Sequence, residues 1–155
     1  MVAVMPSISL NQPTSDGALY CSGVPLPPSE ADLANTLSVP YGQALLAQVV
    51  LQAQGSIGSQ NGYVVLQQSL DRTNWFDLAW LITSMITGTQ VWMLSTNNAN
   101  NNALQQTRTA GSAPGSTGST SMMTGGILRF VGKTSLPTGP NAILATIYAK
   151  TLGLR

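Results

Sequence analysis

Apolar and polar side chains alternate with a period of two along several segments of the chain, which predicts β-strands with one buried face. The alternation is clearest in Ala47–Gln54 and Ala142–Lys150. Other segments of strand length are rich in apolar, aromatic or β-branched residues: Tyr63–Leu70, Trp75–Ile82, Gln90–Ser95 and Gly126–Lys133. Turn-forming residues, such as Asn61-Gly62, separate these segments. The pattern predicts an all-β fold, an antiparallel β-sandwich or jelly roll.

The segment Trp75–Ile82 is the most aromatic part of the chain and is apolar on both faces. Regular alternation divides it into two sets, Phe76, Leu78, Trp80 and Ile82 against Trp75, Asp77, Ala79 and Leu81. The first set is entirely apolar, so we expect it to face the core and Trp75 to lie at the surface. The predicted core residues are Val49, Leu51, Phe76, Leu78, Trp80, Ile143 and Ile147.

Two regions depart from the strand pattern. Residues 1–40 contain six of the nine prolines, which lack an N–H donor, so an extended N-terminal arm is predicted there. Within this arm, Ile8–Leu10 and Ala18–Cys21 can add edge strands, and Ser29–Asn35 can form one helical turn capped by Ser29.

The second such region is residues 95–126, a long polar loop rich in Asn, Ser and Gly whose one charged residue is Arg108. It has too little apolar surface to order by itself. We therefore expect an arm at 1–40 and a β-sandwich domain at 41–155 that carries the loop 95–126.

Charge is scarce along the whole chain, with six basic and five acidic residues among 155 and a net charge of +1. A freely diffusing domain usually covers about a quarter or more of its surface with charge, so we expect neighbouring chains to cover this surface. The basic residues are scattered singly, which predicts no direct contact with nucleic acid. Every apolar stretch is far shorter than the roughly 18 residues of a membrane helix, which predicts no membrane span.

The chain also has little material for catalysis, since it has no histidine and a single cysteine, Cys21. A Ser–His pair is impossible, and we predict no catalytic, cofactor or metal site and no enzymatic activity. Asp71 and Asp77 flank the aromatic segment, and a glycosidase needs two such carboxylates near an aromatic platform, but a turn position for Asp71 favours a structural role. Cys21 is interpreted as a small buried hydrophobe.

The aromatic side chains allow two interpretations, a stacking platform for sugars or ordinary core packing. The face assignment places Trp80 in the core. Tyr63, Trp75 and Arg108 are left as candidate contacts with a protein interface or a glycan.

Residues Ser69–Leu78, SLDRTNWFDL, are similar to the S-x-D-G-T-N-W-x-D-L phrase of β-sandwich domains in bacteriophage virion proteins and in some carbohydrate-binding sandwiches. The final strand segments, GILRFVG from Gly126 and ATIYAK from Ala145, resemble the strands that finish such domains. The resemblance covers residues 43–95 and 126–155, about half of the chain, and Arg72 stands where the phrase commonly has Gly.

Together with the nearly uncharged surface and the two irregular regions, this resemblance implies a capsid decoration (cement) protein. Such a protein is expected on the capsid exterior, as a homotrimer that binds the major capsid protein and bridges its subunits. The alternatives are another tail, neck or fibre protein of a phage, or an extracellular carbohydrate-binding module.

The charge count generates the first testable prediction. Because few charges are available to be screened, binding to the partner should depend weakly on salt. The fraction bound at low and at moderate ionic strength measures this, and dissociation over that range without unfolding would contradict it.

Overall fold

The computed structural model is a sandwich of two antiparallel β-sheets. It describes residues 18–39, 44–58, 60–84, 88–96, 111–115, 118–119, 125–136 and 139–152. The strands are β1 (Ala18–Pro25), β2 (Ala31–Asp32), β3 (Leu37–Val39), β4 (Ala44–Gln54), β5 (Asn61–Ser69), β6 (Phe76–Ser84), β7 (Thr89–Ser95), β8 (Gly118–Ser119), β9 (Gly126–Thr134) and β10 (Ala142–Leu152). In this described part of the chain, no helix is long and apolar enough to cross a membrane.

One sheet has four strands in the order β1-β10-β4-β7, and the larger sheet has the order β2-β9-β5-β6-β8, with β3 also paired to β9. Every strand pair is antiparallel. The predicted all-β antiparallel sandwich is therefore confirmed, while its jelly-roll form stays a prediction. All six segments that the pattern predicts as strands are strands, with ends shifted by three residues or fewer.

The core lies between the sheets and takes inward-facing side chains from both. Its largest fully buried members are Tyr20, Leu37, Leu45, Leu51, Leu66, Leu78, Leu81, Leu128, Phe130, Ile143 and Ile147. Five of the seven predicted core residues have no exposed surface: Val49, Leu51, Leu78, Ile143 and Ile147. Alternation within β4 and β10 alone identified four of these five.

A bulge in β6 overturns the face assignment of the aromatic segment. Leu66 pairs with Ala79 and Gln67 pairs with Asp77, so Leu78 is an extra residue between them. Such a bulge breaks the period of two, and both Leu78 and Ala79 are fully buried.

The alternation beyond the bulge is reversed. Leu81 lies in the main core, whereas Trp80 and Ile82 are partly buried and pack on the opposite face of the larger sheet. The expectations that Trp80 and Ile82 face the core and that Ala79 and Leu81 lie opposite are thus wrong. Phe76 is also only partly buried.

Much of the predicted N-terminal arm belongs to the sandwich, which corrects the domain boundary at residue 40. β1 forms the edge of the four-stranded sheet against β10, and β2 and β3 pair with β9. The edge strand expected at Ala18–Cys21 is confirmed. The helical turn expected at Ser29–Asn35 is wrong, because Ala31 and Asp32 pair with Gly132 and Val131. Residues 1–17, with Ile8–Leu10, lie outside the described residues.

Tyr20 ties this N-terminal region to the larger sheet. Its hydroxyl accepts a hydrogen bond from the Phe130 backbone N–H at 3.2 Å and donates one to the Ala34 carbonyl at 3.1 Å. The two rings lie 4.9 Å apart at an interplanar angle of 57°. The next residue, Cys21, is 4% exposed, as expected, and burial raises the pKa of its thiol to about 11.

Short parts of the predicted loop 95–126 lie on the larger sheet. β8 pairs with Ala79 and Trp80 of β6, and a Cβ on Gly118 would be 3.3 Å from the Trp80 ring. Lys133 Nζ donates a hydrogen bond to the Gly111 carbonyl at 2.8 Å. Most other residues of that loop lie outside the described part.

The bulge generates a testable prediction about two neighbouring residues. Leu81→Ala should lower the free energy of unfolding by about 2–5 kcal/mol, because it opens a cavity in the main core. Ile82→Ala should cost less, since Ile82 keeps partial contact with solvent. Urea unfolding of the two variants measures the difference, and an equal or reversed order would contradict the inverted alternation.

Candidate functional site

The outer face of the larger sheet carries three cross-strand rows of side chains from β9, β5 and β6. These rows are Lys133–Tyr63–Ile82, Val131–Val65–Trp80 and Arg129–Gln67–Asp77. Strand pairing therefore places apolar residues in the middle of the face and polar residues toward its ends. With Glu30 and Asp32 nearby, five of the eleven charged residues of the chain gather here.

Arg129 is the centre of a polar network on this face. Its Nε donates to Gln67 Oε1 at 2.9 Å and its Nη1 donates to Asp32 Oδ1 at 3.0 Å. Gln67, only 2% exposed, in turn donates from Nε2 to Asp77 Oδ1 at 2.8 Å. The Arg129–Asp32 ion pair is partly solvated, so it adds little stability by itself. The network mainly fixes the direction of the guanidinium group.

That guanidinium group covers the ring of Trp75, at 3.9 Å from the ring centroid. Trp75 is 9% exposed, and its Nε1 donates to the Arg72 carbonyl at 3.2 Å. A cation stacked on the ring occupies the position that a sugar would need. Trp75 thus lies on the outer face, opposite the core, as expected, but its ring is covered rather than open to solvent.

Tyr63 is likewise buried, at 4% exposure, and its hydroxyl donates to Glu30 Oε2 at 2.7 Å. Neither Tyr63 nor Trp75 presents an open aromatic surface, although the structure brings both to the outer face of one sheet. Arg108, the third candidate contact, lies outside the described residues. Arg129, Gln67 and Asp32 also belong to this site, and the sequence does not reveal them because their contacts depend on which strands are neighbours.

A depression of about 380 Å³ lies beside this network. It is lined by Ser29, Glu30, Ala31, Asp32, Gly111, Arg129 and Val131. Its volume is near the lower end for small-molecule sites. The charged groups in its wall already bond to protein: Glu30 to Tyr63, and Asp32 to Arg129.

Asp71 has a structural role in the turn between β5 and β6. Its Oδ1 accepts from the backbone N–H groups of Asn74 and Thr73, both at 2.8 Å, and its Oδ2 accepts from Asn74 Nδ2 at 2.7 Å. These donors, led by the Asn74 N–H, hold the pKa of the carboxyl well below its usual range. The turn position expected for Asp71 is confirmed.

Arg72 adopts a φ of 62° in the same turn. This left-handed region favours glycine, so the turn keeps its shape although arginine stands at the usual glycine position of the resembled phrase. Arg72 also donates from Nη1 to Thr36 Oγ1 at 3.3 Å.

Each of the four acidic residues in the described part thus bonds to a protein group: Glu30, Asp32, Asp71 and Asp77. Within the same part of the chain, no three His, Cys, Asp or Glu side chains form a group that could hold a metal ion.

The outer face of the four-stranded sheet has a different character. One cross-strand row runs Leu19–Tyr148–Gln48–Met93 and the next runs Thr146–Val50–Val91. The exposed fractions are 37% for Leu19, 40% for Tyr148, 57% for Met93 and 59% for Val91. These are four of the five large apolar side chains that are exposed in the described part, and the fifth is Leu70.

We call this face the apolar face. The two rows named above contain no charged residue, and Lys150 lies in the next row, opposite Leu46. Four strands about 4.8 Å apart and some six to seven residues long give an area of about 400 Å². Polar side chains such as Gln48 and Thr146 occupy part of this area, and exposed apolar patches of about a few hundred Å² are often functional. The sequence alternation indicated which residues of each strand share a side, but not that these strands are adjacent.

Comparisons with protein-family models, with curated proteins and with solved structures found no match to this chain.

The Asp71 turn generates a prediction about pH. The unfolded carboxyl titrates near pH 3.9 and the folded one lower, so its stabilising effect is present above about pH 4 and is lost as the pH falls. Asp71→Asn keeps an acceptor but cannot titrate, so it should reduce the loss of stability on acidification. Unfolding free energies at several acidic pH values test this, and parallel curves for the two proteins would contradict it.

Proposed function

We propose that the chain is a non-enzymatic structural protein of a virion, a head decoration protein that binds and bridges neighbouring major capsid subunits on the outside of the shell. The observation that carries the proposal is the apolar face, where Leu19, Tyr148, Met93 and Val91 are exposed on one sheet. A neighbour that covers these side chains removes apolar surface from water, which favours association.

The scarcity of charge supports the same proposal. A chain with eleven charged residues repels its neighbours little and can pack at high local density on a shell. Many copies bound side by side also act together, so each single contact can be weak. The homotrimer implied by the resemblance would provide three such apolar faces in one assembly.

The state of the acidic residues supports a non-enzymatic role. A catalytic carboxylate must be able to contact a substrate. Asp71 instead accepts hydrogen bonds from backbone N–H groups of its own turn, and Asp77 accepts one from Gln67. Both are explained by the local structure without a substrate.

The two alternatives differ from each other in the surface that they would use. A tail, neck or fibre protein would use the apolar face in the same way and differs only in location on the virion. A carbohydrate-binding module would use the depression beside Arg129, and the covered rings of Trp75 and Tyr63 count against it.

The N-terminal segment has a revised part in this proposal. Because β1 to β3 belong to the sandwich, the bridging arm is reduced to residues 1–17, which precede β1 in the sequence. We propose that this segment contacts a neighbouring subunit.

The prediction concerns binding to capsid shells. Tyr148→Lys should weaken binding on the order of tenfold, because it buries a charge in the contact. Leu70→Lys is the matched control: Leu70 is 85% exposed but lies in a turn, and its substitution should leave binding unchanged. Cosedimentation of the purified variants with shells measures both.

Deleting residues 1–15 tests the arm separately. The truncated protein should fold, since β1 begins at Ala18, but it should protect shells from heat less than the full chain does. Equal protection would contradict bridging by the arm. Glycan-array binding by the unaltered chain, without any binding to shells, would favour the carbohydrate-binding module instead.

A further inference from the structure

The edges of the two sheets differ in how well they can pair with another strand. β1 contains Pro25 and two register irregularities. β2, β3 and β8 are only two or three residues long. β7, at the other edge of the four-stranded sheet, has seven uncharged residues without Pro or Gly, TQVWMLS. Bulges, prolines and short strands protect an edge from further pairing, so β7 is the least protected edge in the described part of the chain.

Two hydrogen bonds show which backbone groups β7 leaves at its edge. Thr96 N–H donates to the Leu45 carbonyl at 3.0 Å and Ala53 N–H donates to the Gly88 carbonyl at 2.8 Å. In an antiparallel pair, hydrogen-bonded positions alternate. The even-numbered residues of β7 therefore point their N–H and C=O groups toward β4. The odd-numbered ones, Val91 and Met93 among them, point these groups away from β4.

We propose that this edge pairs with β7 of a second copy of the chain, antiparallel and about a two-fold axis at Trp92. The two four-stranded sheets then form one continuous sheet of eight strands. In this register Val91 lies opposite Met93 of the second copy, and Thr89 lies opposite Ser95. Each of these residues is odd-numbered, so the N–H and C=O groups that point away from β4 in one copy meet those of the other and form up to about eight hydrogen bonds.

The properties of the strand favour a second copy as its occupant. When a strand pairs with its own copy about a two-fold axis, any charge near its centre lies close to the identical charge of the copy and is repelled by it. β7 carries no charge, so no such repulsion arises. Val91 and Met93, more than half exposed in the single chain, gain each other as cross-strand neighbours on the apolar face.

Trp92 lies on the proposed axis and points to the inner side of the sheet, where it packs against the core. Its Nε1 is buried and has no hydrogen-bond partner among the described residues. Trp92 therefore holds the centre of this edge against the core of its own chain.

The contact is independent of the capsid partner and so goes beyond the proposed function. An isologous contact of this kind gives dimers, or assemblies with an even number of copies if a trimer forms through another surface. Failure to dimerise would leave binding to shells through the apolar face intact.

The test exploits the pairing of Val91 with Met93. Val91→Lys combined with Met93→Lys places lysine opposite lysine across the axis, twice. Val91→Lys combined with Met93→Glu changes the same two positions but places lysine opposite glutamate, twice. In sedimentation equilibrium of the full chain, the double variant with two lysines should dimerise at least tenfold more weakly than the double variant with lysine and glutamate.

A third variant tests the hydrogen bonds alone. Met93→Pro removes an N–H that points away from β4, so the sandwich keeps its internal bonds while the edge loses a donor. It should be folded by circular dichroism and monomeric. Leu70→Lys is the control and should dimerise as the unaltered chain does.

Three results would overturn the proposal. The first is an unaltered chain that stays monomeric at about 100 μM, a concentration at which even a weak specific dimer is populated. The second is equal weakening by the lysine–lysine and lysine–glutamate pairs, which would indicate contact without this register. The third is a folded Met93→Pro variant that still dimerises.

Discussion

The phenol of Tyr20 joins the two sheets at a point where the edge of β9 would otherwise carry an unpaired amide. β2 pairs with Val131 and Gly132, and β3 pairs with residues 126–128, which leaves Phe130 between them. Leu33 N–H donates to the Phe130 carbonyl, and the Tyr20 hydroxyl accepts from the Phe130 N–H while donating to Ala34. An unsatisfied buried amide costs about 1–3 kcal/mol. This interaction, together with the pairing of β1 with β10 and of β2 and β3 with β9, holds residues 18–39 against the sandwich, although their prolines suggest a free arm.

The bulge at Leu78 determines what each face of the larger sheet can do. It sends Leu78, Ala79 and Leu81 into the core, and it leaves Trp80 and Ile82 to pack with Tyr63, Val65 and Val131 on the outer face. It also keeps Asp77 beside Gln67, which connects the carboxylate to Arg129. The outer face is consequently closed by its own aromatic and polar contacts, whereas the apolar face of the other sheet keeps large side chains exposed. Because its apolar side chains are exposed, the four-stranded sheet is the better surface for binding a partner.

The sequence predicts those features that depend on local pattern. The strands and the inward residues of β4 and β10 follow from alternation within single segments, and the Asp71 turn follows from hydrogen bonds within four residues. Features that depend on register or strand order were not predicted. A bulge inserts one residue without a distinctive composition, so regular alternation assigns Leu81 and Ile82 to the wrong faces of the sheet. Arg129 meets Trp75 and Asp32 only because β9 lies between β2 and β5. The apolar face likewise needs β1, β10, β4 and β7 to be adjacent, which no single segment reveals.

The role proposed for this protein depends on contact with neighbouring chains rather than on chemistry at a site, and the proposed pairing contact is at the edge of β7. Amide hydrogen exchange, followed residue by residue at low and high protein concentration, tests this most directly. The account predicts that Val91 and Met93 N–H groups exchange rapidly in dilute protein and become protected as copies associate, while Leu94 N–H, directed toward β4, is protected throughout. Rapid exchange of Val91 and Met93 at every concentration, with association still evident from the mass, would contradict it.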